Sequence, residues 1–350
     1  MRPPGVVLGV GWVAGLAAIR SLGRAGVRVL AVDDRASALG FRSRYAERHV
    51  APARSGEVYV RFLHDLGEGV AFPTHDDDLE LLARHKHDLR LTCPFPDWSV
   101  LGGIQDKRRQ LAAAREVGVA VPETADTPSE RVTLPALVKP SLDTPAFRRR
   151  FGVKAFRCTT PAELDHAFEQ AAEHRPLVQE WVPGGDDTLW TVGAYVAADG
   201  EALGLFTGRK LRQTPPTIGT ARVAEARWDP ALAEQGVALL RALGFHGIAQ
   251  VELKRDPRDG TFRLIEVNPR LWEWHGLAAA CGVDLPRIAY LDATGDRPAP
   301  VRMRGDGTRW AITLARGAAP MPQRPPYVDA MFAHDDLRPA IVHLARVVRP

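Results

Sequence analysis

The sequence has little cysteine and no long hydrophobic run. Its three cysteines, Cys93, Cys158 and Cys281, lie far apart and form no CxxC pair. That spacing argues against a disulfide scaffold and against a cysteine-based zinc site. No apolar run reaches the roughly 18 residues of a membrane-spanning helix, and the chain enters a strand-like run at Val6 with no secretory leader before it. We therefore expect a cytoplasmic protein without a membrane partner.

Lysine is also scarce, since only six of the 46 basic residues are lysines. The formal net charge is only +4, and the longest basic run is the three arginines at 148–150. This gives no basic surface of the kind that binds nucleic acid, so no nucleic-acid partner is expected. Because arginine supplies most of the positive charge, we expect lysine to be kept where a compact point charge is needed.

Two segments near residue 260 place polar side chains at every second position. Glu266, Asn268 and Arg270 alternate in the second segment, and the first contains Glu252. Alternate residues share one face of a strand, and the Asp-Gly pair at 259–260 predicts a turn between the segments. Such a hairpin brings two carboxylates and an amide oxygen together beside cations, which suits Mg²⁺ carrying phosphates. An edge hairpin with a solvated polar face has the same pattern.

A glycine turn near the N-terminus indicates a competing function. Gly9, Gly11 and Gly15 follow a predicted strand, and Asp33 ends the next predicted strand. In a dinucleotide-binding unit, such glycines let the backbone approach a pyrophosphate, and the acidic residue holds a ribose hydroxyl. The turn alone would therefore favour an NAD(P)-dependent oxidoreductase, although its last spacing differs by one residue from the usual form.

The middle of the chain suggests a different nucleotide site. Lys139 ends a predicted strand, and Lys154 follows a loop predicted over 142–152 that is rich in arginine and phenylalanine. The strand at 177–182 has a backbone that could pair with an adenine edge. Asp186 and Asp187 follow a Gly-Gly turn, where a carboxylate could accept hydrogen bonds from ribose hydroxyls.

Three further groups of residues have two interpretations each. Lys210 and Arg212, together with 217–220, lie between predicted strands and could bind a substrate carboxylate or the γ-phosphate, or form a solvated loop. The sequence Trp-Glu-Trp-His at 272–275 favours structural packing over a pocket wall. The sequence His-Asp-Asp-Asp at 75–78 predicts a helix cap in preference to a metal site.

An ordered series of motifs resembles the ATP-grasp superfamily. The resemblance covers about residues 5–300, and within the superfamily the chain is similar to the carboxylate–amine ligases that include D-aspartate ligases. Its motifs are Asp106-Lys107, Val138-Lys139-Pro140, Gln179-Glu180-Trp181-Val182-Pro183-Gly184, Val251-Glu252 and Ile265-Glu266-Val267-Asn268-Pro269-Arg270.

The resemblance implies a fold and its divisions. It implies a mixed α/β and α+β protein in which a Rossmann-like pre-grasp domain (1–100) precedes a two-lobed ATP-grasp fold. The small lobe, or lid, would span 101–183 and the large catalytic lobe 184–317, with a C-terminal extension at 318–350. The lid loop of the family is commonly rich in glycine or serine, and 142–152 departs from that pattern.

The resemblance also implies roles for individual residues. Lys139 would contact ATP, with Lys107 and Lys154 as cations on the phosphate side. Glu180, Trp181 and Val182 would form the adenine site, and Asp186 or Asp187 would meet the ribose. The catalytic cations would be Arg270, Lys210 and Arg212, and the metal ligands would be Glu252, Glu266 and Asn268.

The function implied is ligation that consumes ATP and yields ADP and phosphate. A carboxylate would be activated as an acyl phosphate and joined to an amine, with ATP and Mg²⁺ as cofactors and Mn²⁺ as an alternative metal. The partners would be small-molecule carboxylate and amine substrates, and a homodimer is left open. The oxidoreductase and a non-catalytic nucleotide-binding protein remain the alternatives.

Overall fold

The described part of the chain forms three β-sheets with helices packed against them. The structure is a computed structural model that describes residues 2–128, 132–142, 145–313 and 326–348. Among these residues, no helix combines the length and the apolar character that crossing a bilayer requires. The overall architecture is mixed α/β.

The N-terminal sheet has five parallel strands in the order β3-β2-β1-β4-β5. Alternate residues of the central strand enter different cores, Val7 on one face and Val6 and Leu8 on the other, as expected where helices cover both faces of a parallel sheet. The two strands predicted on either side of the glycine turn are present, and helix α1 joins them. The elements are β1 Gly5–Leu8, α1 Val13–Arg24, β2 Val29–Asp33, β3 Ala46–Val50, α2 Gly56–Asp65, β4 Gly69–Pro73, α3 Asp76–Arg84, β5 Leu91–Thr92 and α4 Trp98–Ile104.

The second sheet has four antiparallel strands in the order β6-β9-β7-β8. The loop predicted over 142–152 is wrong in part, because helix α6 begins at Pro145; residues 143 and 144 lie outside the described residues. Phe147 and Phe151, one turn apart on that helix, pack against Phe156 and so favour helix over loop. The elements of this stretch are α5 Lys107–Glu116, β6 Thr124–Ala125, β7 Ala136–Pro140, α6 Pro145–Phe151, β8 Phe156–Cys158, α7 Pro161–Gln170 and β9 Pro176–Glu180.

The third sheet has eight strands in the order β14-β13-β10-β11-β12-β16-β17, with β15 beside β11. Most of its pairs are antiparallel; the pairs β11–β15 and β16–β17 are parallel. The elements are β10 Leu189–Val196, β11 Ala202–Thr214, β12 Thr220–Ala226, α8 Pro230–Ala242, β13 Gly247–Arg255, β14 Phe262–Asn268, α9 Gly276–Ala280, α10 Leu285–Ala293, β15 Val301–Arg302, β16 Arg309–Ala311, β17 Tyr327–Asp329 and α11 Arg338–Val348.

The first and third sheets share a hydrophobic core. Val7 and Leu16 of the N-terminal part belong to the same buried cluster as Phe206 and Trp274. A C-terminal extension was expected at 318–350, and its described residues pack onto both sheets. Strand β17 joins the third sheet, and Asp336 accepts a hydrogen bond from Arg20 of α1. The N-terminal sheet is therefore held firmly against the large sheet.

Candidate active site

A cavity of about 310 Å³ lies between the four-stranded and eight-stranded sheets. Strands β7 and β9 form one side, and β11, β13 and β14 form the other. Five of the six lysines line it, although they come from distant parts of the chain: Lys107, Lys139, Lys154, Lys210 and Lys254. A chain that uses arginine almost everywhere else thus gathers its lysines in one place, as expected for binding compact anions.

The hairpin predicted near residue 260 forms the floor of this cavity. Strands β13 and β14 pair antiparallel, with Glu252 opposite Glu266 and Gln250 opposite Asn268. Side chains of directly opposed residues lie on the same face of a sheet, and all four of these residues line the cavity. The turn after β13 closes with Gly260, whose φ of 76° suits glycine.

Lysines accompany both carboxylates. Lys210 Nζ lies 2.7 Å from Glu252 Oε1, and Lys107 Nζ lies 3.5 Å from Glu266 Oε1. Burial alone would raise the pKa of Glu266, but Lys107, Lys154 and Lys139 outweigh it and lower that pKa. Glu266 is therefore kept as a carboxylate, the form that a cation or a hydrogen-bond donor requires.

The cavity floor fits Mg²⁺ in its donor chemistry. In the part of the chain that the structure describes, no cluster of three His, Cys, Asp or Glu side chains is placed to hold a metal. The oxygens available are those of Glu252, Glu266 and Asn268, whose amide nitrogen donates to Gln250 Oε1 at 3.2 Å. Mg²⁺ commonly takes one or two protein carboxylates and completes its shell with water and phosphate oxygens. The set present meets that requirement.

Strand β9 and the residues just after it line the other side of the cavity. Lys139 Nζ donates to Gln179 Oε1 at 2.7 Å. The Glu180 carboxylate accepts hydrogen bonds from the Glu123 backbone N–H at 3.1 Å and from Arg258 at 3.0 Å. The backbone N–H groups of Glu180 and Trp181 are also paired, because they donate to the Glu123 and Pro135 carbonyls at 2.9 Å and 2.8 Å. Val182 lies beyond the strand positions that pair with neighbouring strands.

Trp181 adds an aromatic ring flanked by cations. Lys254 Nζ and Arg157 Cζ lie 5.0 Å and 4.9 Å from the centre of its ring, within the range of cation–π attraction. Burial lowers the pKa of Lys254. The sequence reasoning did not select Lys254 as a site residue, although its membership of the small set of lysines was a usable signal.

Neither aspartate predicted for the ribose lines the cavity. Asp186 accepts hydrogen bonds from the Gln213 backbone N–H at 2.8 Å, from Gln213 Nε2 at 2.9 Å and from the Thr217 N–H at 2.8 Å. It therefore fixes the loop whose residues 217–221 line the cavity. Asp187 is exposed, so of the two carboxylates it is the one not engaged in holding that loop.

Arg212 does not reach the cavity. Strict alternation would place it on the same strand face as Lys210, but β11 has a bulge between these two residues. The extra residue reverses the alternation. Arg212 is consequently exposed, whereas Lys210 and Gln213 are buried and line the cavity.

Arg270 lines the cavity and is held by the N-terminal part of the chain. Its Nε and second terminal nitrogen donate to the two carboxylate oxygens of Asp76 at 2.7 Å and 2.9 Å. Asp76 opens α3, whose cap residue His75 makes no side-chain cap bond. The expected aspartate cap is therefore wrong, because Asp76 binds Arg270 and Asp78 binds Arg54.

The sequence reasoning also passed over Arg148 and Glu273, which both line the cavity. Arg148 was hidden in the segment expected to be a loop. Trp272 and Trp274 are buried and line the cavity at the same time, so packing and a pocket wall are not alternatives here.

The glycine turn near the N-terminus is filled by the protein's own side chains. A methyl group at Gly11 would collide with the Arg35 guanidinium, and one at Gly9 with His75. Asp33 is fully buried and accepts hydrogen bonds from the Arg35 backbone and side chain. The Arg35 side chain thus lies in the turn and engages one oxygen of the Asp33 carboxylate.

The lysine-lined cavity lies between a small antiparallel sheet and a large one and is floored by paired carboxylates, an arrangement that resembles the ATP-grasp fold. Residues 220–297 match the family model described as the ATP binding domain of the carbamoyl-phosphate synthase L chain. The chain is 25% identical over 244 residues to a D-aspartate ligase of Enterococcus faecium (strain Aus0004). That match covers 64% of this chain and 58% of the ligase, so the chain spans little more than half of its relative.

Solved structures show the same fold. An L-amino acid ligase from Bacillus licheniformis has a TM-score of 0.63 at 17% identity, with 84% of this chain and 75% of that one covered. The biotin carboxylase domain of the 2-oxoglutarate carboxylase of Hydrogenobacter thermophilus, in complex with MgADP, has a TM-score of 0.67 at 17% identity, over 87% and 73%. The resemblance to the ATP-grasp superfamily and to its carboxylate–amine ligases is confirmed.

Proposed function

We propose that the protein is an ATP- and Mg²⁺-dependent ligase that activates a carboxylate as an acyl phosphate and joins it to an amine. The observation that carries this proposal is the placing of Glu252 opposite Glu266 in a cavity lined by five lysines. Anionic phosphates need such cations, and a metal that bridges phosphate oxygens needs such carboxylates. The products are ADP, phosphate and an amide.

The parts of the fold take distinct roles in this proposal. Residues 1–100 form a Rossmann-like pre-grasp domain, 101–183 a lid, 184–317 the catalytic lobe and 318–350 a C-terminal extension, of which strand β17 pairs with that lobe. The adenine meets the backbone of 180–182 and the Trp181 ring. The ribose meets Asp187, because Asp186 holds the neighbouring loop.

The phosphoryl end uses the remaining polar residues. Lys107, Lys139 and Lys154 neutralise the phosphates, and Glu252, Glu266 and Asn268 hold Mg²⁺. When bound, the metal would supply positive charge that offsets the charge of the phosphates. Mn²⁺ offers similar oxygen-ligand chemistry.

In the first step, a substrate carboxylate oxygen attacks the γ-phosphorus of ATP and ADP leaves. Arg270, fixed by Asp76, and Lys210, fixed by Glu252, stabilise the charge on the transferring group. In the second step, the amine nitrogen attacks the acyl carbon and phosphate leaves. No side-chain nucleophile is needed, because positioning and charge neutralisation carry the reaction.

Two alternatives have less support. An oxidoreductase would need the glycine turn, which Arg35 and His75 fill. A non-catalytic nucleotide-binding protein would not need both cavity carboxylates. We further propose that the protein is cytoplasmic and that its substrates are small molecules. We propose no membrane or nucleic-acid partner.

The test is ATP turnover after Glu266→Ala. We expect phosphate release to fall by at least about 100-fold, while the melting transition remains cooperative. Glu225→Ala is the matched control, because Glu225 is a buried carboxylate of β12 that pairs with Arg209 and Arg309 and does not line the cavity. Turnover that survives Glu266→Ala would overturn the metal assignment. Stabilisation of the wild type by NADH and not by ATP·Mg²⁺ would overturn the ligase.

A further inference from the structure

Glu273 places a carboxylate in the cavity wall a short distance along the chain from Arg270. Its Oε1 accepts a hydrogen bond from Trp12 Nε1 at 2.6 Å and lies 3.4 Å from a terminal nitrogen of Arg222. The carboxylate is thus oriented by donors from two different elements, the start of α1 and β12.

Glu273 differs in its surroundings from the other carboxylates that line the cavity. Glu180 and Glu252 each have a cationic nitrogen within 3.0 Å, and three lysines lower the pKa of Glu266. The nearest donor to Glu273 is instead the uncharged indole of Trp12. Burial raises the pKa of Glu273 and outweighs Arg222 and Lys210, the cations that act on it. A half-buried carboxylate whose cationic partners are outweighed by burial favours an additional cation.

The position of Glu273 separates it from the phosphate end. The lysines that act on Glu266 are Lys107, Lys139 and Lys154, whereas Glu273 is influenced by Arg222 and Lys210. Lys210 also pairs with Glu252. Glu273 therefore lies near the proposed site of phosphoryl transfer, but in a neighbourhood without the cluster of three lysines.

We propose that Glu273 binds the ammonium group of the amine substrate, which is accordingly an amine that is positively charged at neutral pH, such as the α-amino group of an amino acid. This inference rests on the proposed ligase function and adds to it the class of amine and the place where it binds. Trp272 and Trp274 form the apolar wall beside this position.

Glu273 is also placed to take the proton that the amine must lose. The ammonium transfers one proton to the Glu273 carboxylate and becomes a neutral amine. Its nitrogen lone pair then forms the C–N bond, and the bond between the acyl carbon and the phosphate oxygen breaks. The second nitrogen proton leaves with phosphate as hydrogen phosphate, and Glu273 returns its proton to solvent. A base close to the nitrogen is needed because an ammonium has no lone pair with which to attack.

The experiment compares a neutral nucleophile with charged ones in Glu273→Gln. Wild type and variant receive ATP·Mg²⁺ and D-aspartate, L-aspartate or another amino acid as the carboxylate. Hydroxylamine, which is uncharged at neutral pH, traps the acyl phosphate as a hydroxamate. The same amino acids then serve as amines, with phosphate release and product mass measured. We expect hydroxamate formation within about twofold of wild type and a KM for the amine that rises roughly 10- to 100-fold.

Two variants control for structural effects. Glu225→Gln removes a similarly buried carboxylate outside the cavity and should leave the amine KM unchanged. Glu273→Asp keeps the charge and should retain part of the amine affinity, so it also serves if Glu273→Gln folds poorly.

The possible failures are distinguishable. An unchanged amine KM in Glu273→Gln, or an equal loss of the hydroxylamine and amine reactions, would overturn the role of Glu273 alone. A wild type that forms neither hydroxamate nor phosphate with any of these substrates would contradict the proposed function and this inference together.

Discussion

At the scale of single residues, the site depends on partners that are remote in sequence. Arg270 is held by Asp76, 194 residues earlier in the chain. Burial alone would raise the pKa of the Asp76 carboxyl, but Arg270 outweighs it and lowers that pKa. The bidentate contact fixes the plane of the guanidinium, so Asp76 acts on the proposed chemistry through the orientation of Arg270.

Asp76→Asn tests this orientation. The amide keeps the size of the side chain but cannot accept both hydrogen bonds from Arg270. We expect kcat to fall roughly tenfold, with a smaller change in the KM for ATP, as measured by steady-state phosphate release. Asp77→Asn, at the exposed neighbouring position, is the control. Equal kinetics in the two variants would show that Asp76 does not act through Arg270.

At the scale of secondary-structure elements, small departures from regular geometry decide which side chains enter the cavity. The bulge in β11 turns Lys210 inward and Arg212 outward. A glycine in β10 likewise decides where a side chain of the cavity wall lies. Gly193 leaves room for the indole of Trp272, which could not lie there against a side chain.

Gly193→Ala tests that close packing. The added methyl would collide with the Trp272 ring, and overpacking of a core typically costs about 1–3 kcal/mol. We expect a loss of that size in the free energy of unfolding, measured by urea titration, together with a raised KM for substrate, because Trp272 lines the cavity. At Gly276 the nearest atom to an added methyl is Ala17 Cβ at 3.4 Å, so Gly276→Ala should be close to neutral. Equal effects at both sites would contradict the packing explanation.

At the scale of the whole molecule, the described C-terminal residues fasten the first sheet to the third. Asp336 accepts hydrogen bonds from Arg20 Nε at 2.9 Å, Ser43 Oγ at 2.8 Å and the Arg44 backbone N–H at 2.9 Å. Arg20 also donates to the Met331 carbonyl at 2.8 Å. Arg20 and Asp336 are both buried, so each depends on the other for compensation of its charge.

Arg20→Ala should therefore be strongly destabilising. Removing one partner of a buried ion pair leaves the other charge uncompensated, which typically costs about 3–5 kcal/mol. The free energy of unfolding from urea titration measures this cost. The control is Arg28→Ala, which breaks an exposed pair with Glu47 and should cost about 1 kcal/mol or less. A loss in Arg20→Ala no larger than in Arg28→Ala would show that the C-terminal attachment contributes little.

Much of the fold followed from local pattern. The βαβ unit at 5–33, the hairpin that pairs Glu252 with Glu266, and the mostly antiparallel third sheet all follow from periodicity and turn residues, which act over a few positions. Helix α6 was missed because the aromatic packing that supports it involves Phe156 on a different element. The hairpin, in contrast, was the most reliable part of the site, because both of its strands lie within one short segment of the chain.

By itself, the sequence determined which residue types were available: six lysines, an alternating Glu-x-Asn-x-Arg segment and a competing glycine turn. Tertiary structure decided which of them meet. It gathered five lysines around one cavity, filled the glycine turn with Arg35 and His75, turned Arg212 outward and brought Glu273 to the wall. The physical reason is that strand periodicity is a property of adjacent residues, whereas a cavity is made by packing surfaces whose residues lie far apart along the chain.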